Sequence, residues 1–236
     1  MPILSNNSLL IFMKWPEPGR VKTRLSEHLG TERASALYQC FVQDVVEQSR
    51  LSPVKTVCCY DPPHRETRFT EWLGPDLLYQ AQTGINLGPR LENAFRQRFD
   101  SGDEYVIAIG TDSPDLPESY LTEAWKELGL HDCVIGPCHD GGYYLIGFTR
   151  NGFTTDCFRD IDWSTERVYA QTMRVLQCQH KLTHELPLWY DIDTIGDMKA
   201  LLERTKLETF SDSDTMQFIR QHQWHEPGRF HADKDM

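Results

Sequence analysis

The stretch from Leu9 to Leu25, LLIFMKWPEPGRVKTRL, limits the possible folds more than any other part of the chain. Its apolar run, Leu9 to Met13, is long enough for one buried strand and too short to span a membrane. The run stops in a loop punctuated by Pro16, Pro18 and Gly19, where Lys14, Arg20, Lys22 and Arg24 crowd together. A buried strand followed directly by a basic turn is where an open α/β sheet binds phosphate, in the crevice beyond the strand's carboxyl end. Backbone N–H groups of the turn can face the same ligand. Two phosphate motifs are excluded. A P-loop needs glycine just before its lysine and again five residues earlier, and this chain has Val21 and Pro16 there. No G-x-G-x-x-G follows the strand, which removes the dinucleotide fingerprint.

Charge narrows the partners. The 236 residues include 35 acidic and 24 basic side chains, for a net charge of -11. Nucleic acid is therefore not expected as a partner, whereas a small phosphorylated ligand held by the local basic cluster and a metal is. No apolar run approaches twenty residues and no charged-then-apolar leader opens the chain, so the expectation is a cytoplasmic protein without a membrane span. The seven cysteines are scattered and lack a C-x-x-C pair, which argues against a disulfide framework or a zinc ribbon. Oligomeric state is not readable from these features.

Along the chain, strands alternate with helices. Helical spacing of Ala34, Leu37, Tyr38, Phe41, Val42, Val45 and Val46 predicts a long amphipathic helix capped by Thr31. Strands are expected at Val54–Tyr60, Leu77–Ala81, Tyr105–Ile109, Cys133–Gly136, Tyr143–Phe148 and Leu182–Leu186. A short helix is expected to end near Leu73. Others carry Leu91, Ala94 and Phe95, then Tyr120 to Leu128. The last three are expected at Ser164–Cys178, Asp197–Leu207 and Asp212–Gln223. The short Gly-Gly connection between the fifth and sixth strands predicts an antiparallel pair. The whole reads as a three-layer α/β sandwich with a mostly parallel sheet. One domain is expected over residues 1–224, with a loose tail at 225–236.

Acidic loops share one place in this architecture. Asp112 and Asp115 follow the fourth strand, Asp140 follows the fifth, and Asp191 and Asp193 follow the last. If the first, fourth and last strands run parallel, these carboxylates meet the basic loop at one edge of the sheet. Carboxylates beside phosphates hold Mg2+ or Mn2+, because hard cations take oxygen ligands. Asp115, just ahead of Pro117 and a helix, serves equally well as a turn former or cap.

The segments PEPGRVKTRL, TGINLGPRL, GTDSPDLP, GPCHDGGYYLIG, WST and DIDT, in this order, resemble the bacterial DUF2064 family. That family is described as glycosyltransferases of the GT-A, nucleotide-diphospho-sugar transferase superfamily. The resemblance covers about Leu9 to Leu202. It implies a Rossmann-like GT-A fold with a mixed central sheet. It also implies that Asp112 and Asp193 bind the metal bridging a nucleotide diphosphate, and that the Gly141-Gly142 turn approaches the sugar or acceptor.

Two enzyme readings follow: a metal-dependent glycosyltransferase using a nucleotide-diphospho-sugar donor, or a guanylyltransferase-like nucleotidyltransferase. Nucleotidyltransferases of this superfamily open with a flexible loop of several glycines. This loop has one glycine, two prolines and a tryptophan, which favours sugar transfer. A non-catalytic nucleotide-binding module is the third reading, disfavoured by the presence of the metal aspartates. Candidate phosphate contacts are Lys14, Gly19, Arg20, Lys22, Arg24 and Arg90. Asp140 is the candidate general base for the acceptor. Tyr143, and with it Tyr144 and Trp163, could stack on a sugar or base, although aromatics at such spacing also fill cores.

Overall fold

The computed structural model describes residues 6–205, 209–222 and 224. Seven strands form one sheet: β1 (Asn7–Lys14), β2 (Lys55–Asp61), β3 (Leu78–Ala81), β4 (Tyr105–Ile109), β5 (Cys133–Pro137), β6 (Tyr143–Thr149) and β7 (Thr183–Glu185). Their order is β3-β2-β1-β4-β6-β5-β7. β6 runs antiparallel to β4 and β5, and every other pairing is parallel. The short turn at Gly141-Gly142 causes the reversal, because a parallel return needs a crossover of a dozen or more residues. The carboxyl ends of six strands therefore share one edge.

The sheet is buried on both faces, as the unbroken apolar runs of β1 and β4 require. Alternation divides each strand between two cores. Leu9, Ile11 and Met13 of β1, with Ile107 and Ile109 of β4, pack on one face. There they meet helices α1 (Thr23–Leu29), α2 (Thr31–Arg50), α3 (Glu66–Leu73), α5 (Glu118–Glu127), α7 (Ile195–Arg204) and α8 (Asp214–Gln221). Leu10, Val106 and Ala108 point the other way, onto α4 (Leu87–Asp100) and α6 (Val168–Cys178). Phe95 of α4 anchors that second core, with its ring against Phe99, Phe148, Phe153 and Phe158. Truncating such a fully buried ring to alanine costs about 3–5 kcal/mol.

Element boundaries differ from expectation where local polar chemistry overrides periodicity. The loop after β1 is shorter than expected, because Thr23 to Leu29 forms α1 and buries Leu25 and Leu29. Thr31 is the first residue of α2 rather than its cap. Gly30, at φ 78°, occupies the cap position and breaks the chain between the two helices. α6 begins at Val168, not at Ser164, since Ser164 itself is left-handed at φ 65°. α7 begins two residues before Asp197, because Thr194 and Asp197 form a reciprocal capping box. α8 begins at Asp214, behind its cap Ser213, and not at Asp212. Leu207, where the helix from Asp197 was expected to end, Gln223 and the expected tail at 225–236 lie outside the described residues. Among the described residues, no helix is long and apolar enough to cross a membrane.

Candidate functional site

The basic turn and the acidic loops meet at a single ammonium group. Lys22 sits in the left-handed region, at φ 47° and ψ 46°, immediately before α1. Non-glycine residues rarely adopt that conformation unless their surroundings fix it. Here the side chain is the fixing element. Its Nζ donates to the Ile192 carbonyl at 2.8 Å and to Asp193 Oδ1 at 2.9 Å, and it lies 2.5 Å from Asp112 Oδ1. All three ammonium donors are thus engaged. Burial alone would favour the neutral amine, but Asp112 and Asp193 reverse this and hold the lysine above its usual range. Asp193, half-buried, is held below the usual carboxylate range: its partial burial works against the charge, and Lys22, with help from Arg24 and Lys14, outweighs it.

The Asp191-Ile192-Asp193 segment lies between two supports. The Ile192 N–H donates to the Asp112 carbonyl at 2.8 Å, while the Ile192 carbonyl accepts from Lys22. Ile192 is fully buried. In an extended segment the flanking aspartates project together. Asp193 meets Lys22, whereas Asp191 accepts from Ser113 Oγ at 2.9 Å. Burial, together with Asp112 and Asp140, pushes the Asp191 carboxyl up to about 6, although Ser113 and the Cys138 thiol favour its charged form. Tyr38, from α2, completes the wall. Its hydroxyl is 2.9 Å from Thr111 Oγ1 and accepts from the Lys14 N–H at 3.0 Å.

Lys14, Gly19, Arg20 and Arg24 are exposed around this centre. Arg24 lies 4.0 Å from Asp193 and keeps 72 % of its side chain in solvent, so it is free to take a ligand. Lys22 is not free in that sense: it organises the carboxylates instead of presenting an open ammonium. Arg90 is engaged beyond β2 and β3, donating to the Gly84 carbonyl and to Gln82 and lying 3.4 Å from Asp61. Asp115 is a structural anchor. It is buried and takes two donors of Arg204, at 2.8 and 3.1 Å.

At the β5–β6 turn, exposed Asp140 accepts the Gly142 N–H at 2.8 Å through Oδ1. Gly141, at φ 86°, is required sterically, since a Cβ there would meet the Glu166 carbonyl oxygen at 2.1 Å. Tyr143 packs edge-on to Trp163 at the border of the second core, with its hydroxyl buried. Tyr144 lies inside the first core, beneath Gly136. Tyr144, 5 % exposed, has no open ring face, whereas Tyr143 keeps part of its side chain at the surface.

In the sequence Asp191 stands among the acidic loops without an assigned role, and neither its partners Ser113 and Cys138 nor Tyr38, which contacts Thr111 and the Lys14 N–H, is marked as part of the centre. The D-I-D alternation was the available signal for Asp191. Ser113 and Tyr38 carry none, because their contacts are made across β4 and α2.

A divalent hard cation fits this chemistry. Asp112 and Asp193 converge on one point, and 51 % and 41 % of their side chains remain exposed beyond it. Asp191, Asp140 and Cys138 also bring potential donor atoms within 4.8 Å of one another. Among the described residues of this centre, carboxylates outnumber the buried lysine; Asp191 is raised first by its burial and then by Asp112 and Asp140.

The mixed, mostly parallel sheet is the fold of nucleotide-diphospho-sugar transferase and nucleotidyltransferase structures. The chain belongs to DUF2064, a family of uncharacterised proteins conserved in bacteria, whose profile matches residues 45–165. A provisionally assigned nucleotide-diphospho-sugar transferase from Desulfovibrio desulfuricans G20 is 37% identical, with a TM-score of 0.90 over 93% of this chain and 96% of that one. Two more distant structures share the fold. The 4-diphosphocytidyl-2C-methyl-D-erythritol synthase of Anaerococcus prevotii is 12% identical, with a TM-score of 0.55, over 85% of this chain and 99% of that one. Molybdopterin-guanine dinucleotide biosynthesis protein A of Archaeoglobus fulgidus is 14% identical, with a TM-score of 0.51, over 84% and 97%. No curated protein matches the chain.

Proposed function

We infer that this protein is a metal-dependent glycosyltransferase that moves a sugar from a nucleoside-diphosphate donor to a small acceptor. The observation that carries this reading is the Lys22 centre, where Asp112 and Asp193 are drawn together at the carboxyl edge beside exposed cations. The name given to the Desulfovibrio relative points the same way.

Asp112 and Asp193 would hold Mg2+ or Mn2+, which when bound supplies positive charge to a departing diphosphate. Lys22 keeps the two carboxylates in place. Arg24, Arg20 and Lys14, exposed at the mouth, bind the diphosphate oxygens and stabilise charge as the sugar bond breaks. Asp140 keeps one carboxylate oxygen beyond its bond to Gly142 and takes the proton of the attacking acceptor hydroxyl.

Sugar transfer is favoured over nucleotidyl transfer by how firmly the first loop is tied. Trp15 packs edge-on against Phe69 and Trp72, the Pro16 carbonyl accepts from Ser35, and Arg20 N–H donates to the Glu17 carbonyl. Such a loop suits a fixed diphosphate better than a triphosphate whose reacting phosphorus must be wrapped.

The test incubates the protein and Mn2+ with UDP- and GDP-sugars, with water or an added small alcohol taking the glycosyl group, and separately with nucleoside triphosphates and sugar phosphates. Release of nucleoside diphosphate, abolished in Asp112→Asn, is expected. Pyrophosphate release from a triphosphate, with none of the former, would replace this reading by nucleotidyl transfer.

A further inference from the structure

A second cluster of metal-binding side chains lies at the opposite, amino edge of the sheet. α5 ends at Glu127, and the chain turns through His131 before entering β5. His184 is the middle residue of β7 and pairs with Val134, near the start of β5. The three side chains come from two segments that are distant in sequence, and each is largely withdrawn from solvent: 13 % exposed for Glu127, 21 % for His131 and 27 % for His184.

We propose that Glu127, His131 and His184 form a binding site for a borderline transition-metal ion such as Zn2+, separate from the aspartate centre. Glu127 Oε2 lies 3.5 Å from His131 Nδ1 and 3.8 Å from His184 Nδ1. A tetrahedral ion with ligand bonds of about 2.0–2.2 Å sets its donors roughly 3.3–3.6 Å apart, so both carboxylate–imidazole separations are near the required spacing, and the three donor atoms all lie within 4.8 Å of one another. The two imidazole rings lie 5.3 Å apart, centre to centre.

The partner on the far side of His184 gives independent support. His184 Nε2 is 3.0 Å from Glu123 Oε1, one turn earlier on α5. A proton on Nε2 donated to Glu123 leaves the lone pair of Nδ1 facing Glu127. Carboxylate-oriented imidazoles of this kind are how protein sites set the tautomer of a metal ligand. His131 Nδ1 lies 2.9 Å from the Glu127 carbonyl, so this ring must turn slightly and release any Nδ1 proton as the ion enters.

Two imidazoles and one carboxylate make a nitrogen-rich set suited to Zn2+, Co2+ or Ni2+, and poorly suited to the Mg2+ or Mn2+ expected at the aspartates. Three protein ligands leave a fourth position for water. The ion would clamp the end of α5 to β7, the strand that leads into Asp191 and Asp193.

The experiment titrates the untagged full-length protein with Zn2+ by calorimetry, and with Co2+ by visible absorption. One tightly bound Zn2+ per chain, distinct from weaker filling of the aspartate centre, and a Co2+ spectrum of low coordination number are expected. His184→Ala and His131→Gln should each weaken binding at least about tenfold, and Asp112→Asn should leave it unchanged. His131→Gln lies in a turn outside the strands, so it keeps the test valid if His184→Ala fails to fold. Absence of Zn2+ binding, unaltered affinity in the histidine variants, or loss of binding in Asp112→Asn would each overturn the proposal. The Zn2+ readout is independent of transferase activity, so failure of one reading does not decide the other.

Discussion

Two charged side chains are buried at opposite edges of the same sheet, and their surroundings differ in sign and in closure. At the amino edge, Asp103 is entirely buried and held by Ser8 Oγ at 2.5 Å, Arg98 Nε at 2.8 Å and Lys55 Nζ at 2.9 Å. At the carboxyl edge, Lys22 is held by Asp112, Asp193 and the Ile192 carbonyl. Burial opposes both charges, and in both cases oppositely charged partners outweigh it. The Asp103 carboxyl is held below its ordinary range and the Lys22 ammonium above its own. What differs is the remainder. Two cations, Arg98 and Lys55, pair with the one buried Asp103 carboxylate, so that knot is closed. Around Lys22 the partner carboxylates stay half-exposed, and Asp191 and Asp140 add further negative charge. A closed knot contributes to stability, whereas an open one with surplus charge is able to receive a ligand of opposite sign.

The comparison can be broken most forcefully at Asp103. Asp103→Ala leaves Arg98 and Lys55 without their shared partner and should destabilise the fold by about 3 kcal/mol, since removing one member of a buried pair strands the other. Urea unfolding measures this, and nucleoside-diphosphate affinity of the folded fraction should not change. The depressed carboxyl contributes stability that is complete above its unfolded value of about 3.9 and is lost as pH falls through the lower folded value. Acid unfolding should therefore move to higher pH in a variant that removes Arg98.

Lys22→Met should cost less, about 2 kcal/mol, because Asp112 and Asp193 can turn to water once the ammonium is gone. Metal-dependent activity should nevertheless disappear, since the carboxylates lose their common anchor. Equal losses of stability at the two knots, with activity retained in Lys22→Met, would erase the distinction between them.

Asp191 titrates in the opposite sense to Asp103. Its folded carboxyl, pushed up to about 6, binds protons more readily than the unfolded chain does. Stability of the metal-free protein should therefore fall as pH rises from about 4 through 6, by on the order of 2 kcal/mol. Thermal melts in EDTA across that window should show the slope in the wild type and a flatter profile in Asp191→Asn. The smallest effect belongs to the rim. Arg24→Ala should change stability by less than about 0.5 kcal/mol, while weakening nucleoside-diphosphate affinity roughly tenfold.

The strands, their alternation with helices and the reversed β6 were legible because they follow from apolar runs and from one short glycine turn. The edge shared by the basic loop and the aspartates was legible for the same reason: parallel strands place their following loops together. The partition of roles within that edge was not. Lys22 resembles its basic neighbours in sequence, and its burial depends on Asp112 and Asp193, which lie 90 and 171 positions away. Asp115 and Asp112 both precede the helix after β4, and only Arg204, from α7, separates a structural carboxylate from one at the centre. Arg90 and Tyr143 were read from local context, and their engagement with Gln82 and Trp163 depends on tertiary packing.

The central claim is that the open knot is a metal-dependent nucleotide-diphosphate site. Its most direct test is calorimetric titration of UDP and GDP into the wild type and Asp112→Asn, each with and without Mn2+. The account predicts that Mn2+ strengthens binding of one diphosphate in the wild type and has no such effect in Asp112→Asn. Binding that ignores both the metal and Asp112, or no binding of either nucleotide, would contradict it.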